Sequence, residues 1–153
     1  MKLTIRTGHP QERAALEELQ RRASLMWEEY RPYLLANPDV IELPLAQLAE
    51  GQVRVAQVNG RVAGFSALLP KAAFHELDGL FVEPDQWGLG IGRALVADAL
   101  AIARAAGGAG LAVTANPRAE GFYIKQGFMV TGRTETQFGP ANRMQISAFS
   151  AQT

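Results

Sequence analysis

Three glycines at alternating positions, Gly88, Gly90 and Gly92, stand between a β-prone run that ends at Val82 and an alanine-rich apolar run that continues to residue 106. A chain that leaves a strand through Val82-Glu83-Pro84-Asp85-Gln86-Trp87-Gly88-Leu89-Gly90-Ile91-Gly92-Arg93 and then enters a buried helix has few folds open to it. Glycine lets the backbone approach a ligand closely, and the free amides of a helix N-terminus attract anions. The segment therefore reads either as a phosphate cradle or as a turn that needs flexible residues. Spacing separates it from two familiar phosphate binders. A dinucleotide fingerprint counted from Gly88 requires glycine where Arg93 stands, and counted from Gly90 it requires glycine where Leu95 stands. A P-loop requires Gly-Lys before Ser or Thr, and the chain contains no Gly-Lys pair.

The elements around this turn follow from hydrophobic period. Residues 3–6 read as a strand, and Leu16, Leu19, Ala23 and Met26 recur at helical spacing after Pro10. Residues 27–35 extend or follow that helix, Asn37-Pro38-Asp39 breaks it, and residues 45–48 suit one more short helix. Two β-prone runs, 53–58 and 61–69, flank Asn59-Gly60, a pair suited to the positive φ angles of a tight hairpin turn. Residues 74–82 form the next strand of an antiparallel meander, before the turn and a helix over 90–106 that Gly107-Gly108 closes. Residues 111–114 suit a strand, and Asn116-Pro117 supplies an N-cap and N1 proline to a helix ending at Gly127. Residues 128–131 and 143–149 are closing strands. This order predicts an α/β (α+β) fold with a mixed, mostly antiparallel central sheet of about six to seven strands flanked by helices. A length of 153 residues fits a single domain over 1–153.

Composition narrows the function. Fifteen basic and fifteen acidic residues cancel, so the long-range attraction used by nucleic-acid binders and anionic-membrane binders is missing. No cysteine occurs, which removes disulfides, thiolate metal sites and cysteine nucleophiles, and fits a cytoplasmic location. His9 and His75 are the two histidines and make a poor ligand set, so no metal is expected. The first residues read as a strand rather than a signal peptide, and no apolar run is long enough to cross a membrane.

A second constellation, Asn116-Pro117-Arg118-Ala119-Glu120-Gly121-Phe122-Tyr123-Ile124-Lys125-Gln126-Gly127-Phe128, is by itself compatible with ordinary helix packing. Taken with the glycine turn, it resembles the GNAT superfamily of N-acetyltransferases. The central motif of that superfamily runs Arg/Gln-x-x-Gly-x-Gly/Ala, and a later motif runs Asn, Ala, Phe-Tyr, then Gly-Phe. The resemblance covers roughly residues 74–131. The family's Arg or Gln falls on Trp87 here, with Gln86 one residue too early, so a side-chain contact is replaced by Trp87 packing on the cofactor or on a neighbouring loop.

The resemblance implies splayed central strands, acetyl-CoA as co-substrate, and direct acetyl transfer to a primary amine in a ternary complex. It assigns cofactor binding to the backbone of Leu80, Phe81 and Val82, to Trp87, Gly88, Leu89, Gly90, Ile91, Gly92 and Arg93, and to Asn116, Phe122 and Tyr123. The Leu80 amide is the expected oxyanion donor. Glu76 is the expected base, Asp78 or a water chain the alternative, and Tyr123 the expected proton donor to the leaving thiolate. Each carboxylate also fits a solvated strand face. Asn116 is expected to contact pantetheine, cap its helix, or both, while Arg93 and Lys125 are phosphate contacts or solvated charges. His75 points away from Glu76 as a structural residue. Acceptor specificity is expected from residues 27–33, where Glu28 and Glu29 attract a cationic amine or are surface charges, and from a loop over 133–140. The expected acceptor is a small-molecule amine rather than a protein, and the expected state a monomer or homodimer. The competing reading is a non-catalytic acyl-CoA-binding sensor or regulatory module.

Overall fold

Asn59 and Gly60 do adopt positive φ, at 51° and 82°, and the tight turn they form joins β2 (Val53–Val58) to β3 (Arg61–Leu69). Residues 1–149 are described by the structure, a computed structural model. β1 (Leu3–Thr7) lies antiparallel on β2, with Leu3 opposite Val58 and Thr7 opposite Arg54. Then come β4 (Phe74–Val82), β5 (Gly110–Ala115), β6 (Met129–Thr136) and β7 (Gly139–Ser147), and the seven strands hydrogen-bond in the order β1-β2-β3-β4-β5-β7-β6. β5 is parallel to β4 and antiparallel to β7, so the sheet is mixed. The helices are α1 (Arg13–Leu25), α2 (Arg31–Ala36), α3 (Leu45–Ala49), α4 (Ile91–Ala105) and α5 (Glu120–Lys125).

Contacts gather the described residues into two compact units, one of residues 1–67 and 79–95, the other of residues 68–78 and 96–149. In the first, strand alternation and the shift of the β2–β3 register after Ala56 feed two apolar layers. Val53, Val55 and Phe65 pack with Leu16 and Leu19 of α1 and Leu48 of α3, all nearly inaccessible. Ala56 and Ala63 pack with Ile91 and Leu95, the first two inward positions of α4, and Leu80 and Val82 join this layer. The short side chains of Ala56 and Ala63 let the helix sit close to the strands.

In the second unit, β5 is buried along nearly its whole length and pairs residue for residue with β7, from Gly110 opposite Ser147 to Ala115 opposite Asn142. The β4–β5 pairing is short, covering Phe74–Gly110, His75–Leu111 and Glu76–Ala112. It ends there, although β4 runs on to Val82 and β5 to Ala115. α4 closes as expected, with Gly107 at φ 79° and the Gly108 N–H donating to Ala103 O at 2.8 Å.

Two expectations are corrected. The helix placed from Asn116 begins only at Glu120, because the Ala119 N–H bonds back to the carbonyl and the Oδ1 of Asn116 (2.9 and 3.0 Å) and closes a separate turn first. The loop expected over 133–140 is mostly strand, since β6 and β7 pair through to Thr136–Gly139 and leave two residues between them. β6 is exposed at all but one position, so it carries no apolar alternation by which to recognise a strand.

One ion pair anchors the entry into α1. Arg6 Nη1 and Nη2 donate to Glu12 Oε1 and Oε2 at 2.9 and 2.8 Å, and the His9 N–H also donates to Glu12 Oε1 at 2.9 Å. The Arg6 hydrogen bond, more than any other cause, holds the Glu12 carboxyl at about 2, below its usual 4.5. A depressed carboxyl stabilises the fold above its unfolded value and loses that contribution as pH falls from about 4.5 towards 2. Glu12→Gln is expected to lower unfolding free energy at pH 7 by on the order of 1–2 kcal/mol, allowing for partial solvent exposure. Urea titrations at pH 7 and pH 3 check this: the gap between variant and parent should shrink at the lower pH.

Candidate active site

The glycine turn begins where β4 ends, in the first unit. Pro84–Gln86 forms one turn of 3-10 helix, and Gly88 and Gly90 follow at φ 84° and 83°. Those angles cost an L-residue about 1–2 kcal/mol each. A Cβ at either glycine would meet nothing within 4 Å, so conformation and not crowding selects glycine here. α4 starts at Ile91, and the Ala94 N–H donates to Gly90 O at 3.0 Å. The amides of Ile91, Gly92 and Arg93 precede that first bond and carry the positive end of the helix dipole. Gly88, Leu89, Gly90 and Arg93 are exposed, and Arg93 has no partner among the described residues. The local arrangement is an accessible set of main-chain donors.

Trp87 turns away from the donor role its position suggests. Its indole stacks on Trp27, with ring centroids 5.4 Å apart and planes 22° from parallel, and its Nε1–H donates to Val82 O at 2.9 Å. The side chain thus ties the turn to the segment between α1 and α2 and occupies one main-chain acceptor at the end of β4. Arg22 of α1 adds a second tie, since Nε and Nη2 donate to the Glu83 carboxylate at 2.9 and 2.6 Å. Phe81 lies 5.4 Å from Phe65, and its carbonyl would be only 2.8 Å from a Cβ on Gly64, so β3 needs glycine beside this part of β4. Leu80 is half-buried, and Glu28 and Glu29 are exposed.

The acid–base candidates lie in the second unit. Glu76 is held by Arg143 of β7: Nη1 donates to Oε2 at 2.7 Å and Nη2 to Oε1 at 2.9 Å. The same Nη1 donates to Thr114 Oγ1 at 2.9 Å. The β5–β7 register sets Thr114 directly opposite Arg143, and Glu76 pairs with Ala112, two residues before Thr114 on the same strand. Glu76 raises the Arg143 pKa above its ordinary value, first through the hydrogen bond and then through charge. Sequence reasoning missed this pair, and only the strand register could have revealed it. Asp78 is exposed, and His75, on the other face, is buried with Nδ1 unpartnered.

Tyr123 is 7% exposed and packs edge-on against Phe122 and Phe128, at centroid distances of 5.0 and 5.1 Å. Burial pushes its phenol up to about 12, so it keeps its proton throughout the neutral range. Asn116 is half-buried and engaged by its turn, and the exposed Lys125 has no partner among the described residues. No group of three metal-ligating side chains is found among the described residues, and no helix there is long and apolar enough to cross a membrane.

Several known proteins are similar to this chain in sequence or in fold. A peptidyl-lysine N-acetyltransferase, YjaB of Salmonella typhimurium, is 47% identical over 62 residues, a match spanning 39% of this chain and 39% of that protein. The solution structure of apo-form YjaB from Escherichia coli superposes with a TM-score of 0.69 at 29% identity, covering 99% of this chain and 100% of the other. The PaiA N-acetyltransferase of Thermoplasma acidophilum, crystallised with coenzyme A, gives a TM-score of 0.77 at 22% identity over 96% of this chain and 99% of its own, a likeness of fold. The sequence profile of the acetyltransferase (GNAT) family matches residues 14–128, from the start of α1 through the Gly127-Phe128 motif. The chain belongs to the acetyltransferase (GNAT) family.

Proposed function

We propose that the chain is a single-domain, acetyl-CoA-dependent N-acetyltransferase that transfers acetyl directly to a primary amine within a ternary complex. The observation that carries this reading is the pair of left-handed glycines, Gly88 and Gly90, delivering three unbonded amides at the start of α4. Main-chain donors at a helix N-terminus suit a diphosphate without any basic side chain, which fits a protein whose Trp87 is engaged elsewhere. The co-substrate is supported by coenzyme A in the structurally similar PaiA. Peptidyl-lysine is the acceptor named for YjaB, and its ε-amine is a primary amine, as is that of a small-molecule acceptor.

In the proposed reaction the neutral amine attacks the thioester carbonyl, a C–N bond forms and the C–S bond breaks. The amine's proton passes to Glu76, directly or through water, and the departing thiolate is met by the Tyr123 hydroxyl. The proposed oxyanion donor is the Leu80 amide. Arg143 occupies one lone pair on each oxygen of Glu76 and leaves others to accept from an amine. Because the chain has no cysteine, no cysteinyl thioester can carry the acetyl group, which favours the direct route.

Thermal-shift measurements with acetyl-CoA, ATP and NAD, followed by acetyl-CoA-dependent thiol release across a panel of amines, test the reading. Stabilisation by acetyl-CoA with thiol release is expected; binding without release would leave a sensor, and no binding would remove the proposal. Gly90→Val should weaken acetyl-CoA binding about tenfold, because a β-branched side chain must be forced to a φ of 83°. Calorimetric titration checks this. Tyr123→Phe should lower turnover about 10- to 100-fold, the worth of one hydrogen bond to a charged group, with acetyl-CoA affinity retained. Single-turnover kinetics would expose the failure: an unchanged chemical step takes Tyr123 out of the mechanism.

A further inference from the structure

A guanidinium has five N–H bonds arranged along two edges that can each grip a carboxylate. In Arg143 the end-on edge, Nη1 and Nη2, is spent on Glu76, and the remaining Nη1 hydrogen goes to Thr114. What is left is the side-on edge, formed by Nε–H and the second hydrogen of Nη2. Neither has a partner among the described residues, and Nε is not among the buried polar atoms that lack one. Arg143 is 34% exposed and Glu76 22%, so both reach solvent. A half-exposed arginine thus presents a rigid, vacant carboxylate fork right beside a carboxylate that still has lone pairs to offer.

We infer that the side-on edge of Arg143, next to Glu76, binds the carboxylate of the amine acceptor, so that the acceptor is a free amino acid. The inference rests on the transferase reading and names its substrate class. A zwitterion completes a ring of alternating charge: its carboxylate on Arg143, its ammonium or amine on Glu76, and Glu76 in turn on Arg143. No two like charges are then adjacent, and each close pair is joined by a charge-assisted hydrogen bond. An amine without an acid group could use only the Glu76 half. The same contacts direct the nucleophilic nitrogen to the carboxylate proposed to take its proton, so recognition and orientation come from one pair of side chains. Thr114 fixes the guanidinium in its plane by holding Nη1.

The test uses a panel of α-amino acids, each paired with its own carboxamide, together with one lysine peptide blocked at both ends. Thiol release from acetyl-CoA gives kcat and KM separately for each acceptor. The acids are expected to exceed their carboxamides at least tenfold in kcat/KM, with most of the difference in KM. Arg143→Lys keeps a positive charge beside Glu76 but loses the fork, and should abolish the preference while acetyl-CoA affinity holds. The comparison of acid with carboxamide on the unaltered protein stands even if that variant folds poorly. Carboxamides or the blocked peptide turned over as well as the acids would overturn the inference and leave the transferase standing. Acetyl-CoA bound with no release from any acceptor would overturn it in favour of a sensor, and absence of both would take the transferase reading down as well.

Discussion

The turn out of β4 has to accomplish two things within eight residues: reverse the chain into α4, and leave the first amides of that helix unobstructed. Gly88 and Gly90 meet both demands because left-handed backbone curls the chain without a side chain over the donors. The rest of the first unit follows from where α4 then lies. Ile91 and Leu95 sit on Ala56 and Ala63, which must be small, and Gly64 must be bare for Phe81 to approach. Residues far apart in sequence are thus chosen by one geometrical requirement.

Rigidity in the turn comes from side chains and not from the glycines. Two flexible positions separated by one residue carry a large entropic cost on ordering. The Trp27–Trp87 stack, the indole bond to Val82 and the Arg22–Glu83 pair fasten the turn at its beginning, before the glycines are reached. A stacked aromatic pair contributes about 0.5–1.5 kcal/mol beyond its buried area, enough to bias a loop of this length towards one conformation. Replacement of the family's arginine or glutamine by tryptophan therefore exchanges a side-chain donor for a structural clasp.

Where apolar residues keep a period, the β2–β3 hairpin with its Asn59-Gly60 turn was legible residue by residue and the alanine-rich α4 to within one residue at each end. β6 was not, because an edge strand solvated on both faces loses alternation, and the start of α5 was misplaced because a single tight turn borrows the same Asn-Pro signal as a helix cap. Motif spacing located the glycine turn and Tyr123. It could not reveal that Arg143 grips Glu76, since that contact depends on the register of β7 against β5 and of β5 against β4, which no local pattern encodes. Pairings of this kind decide the chemistry of a site while being invisible in the order of residues.

Tyr123 shows how such surroundings set a role. A free thiol loses its proton near 8.5, whereas the buried phenol holds its own to about 12. Full transfer from the phenol to a thiolate would run uphill. In the proposed reaction the favourable interaction is a hydrogen bond donated to the sulfur as charge accumulates on it, with the proton staying on oxygen. Burial between Phe122 and Phe128, which makes the phenol a poorer acid, also keeps its proton in place throughout the neutral range. Directed hydrogen bonding in a dry setting is worth more than the same bond in water, so the packing that weakens the acid would strengthen the proposed contact.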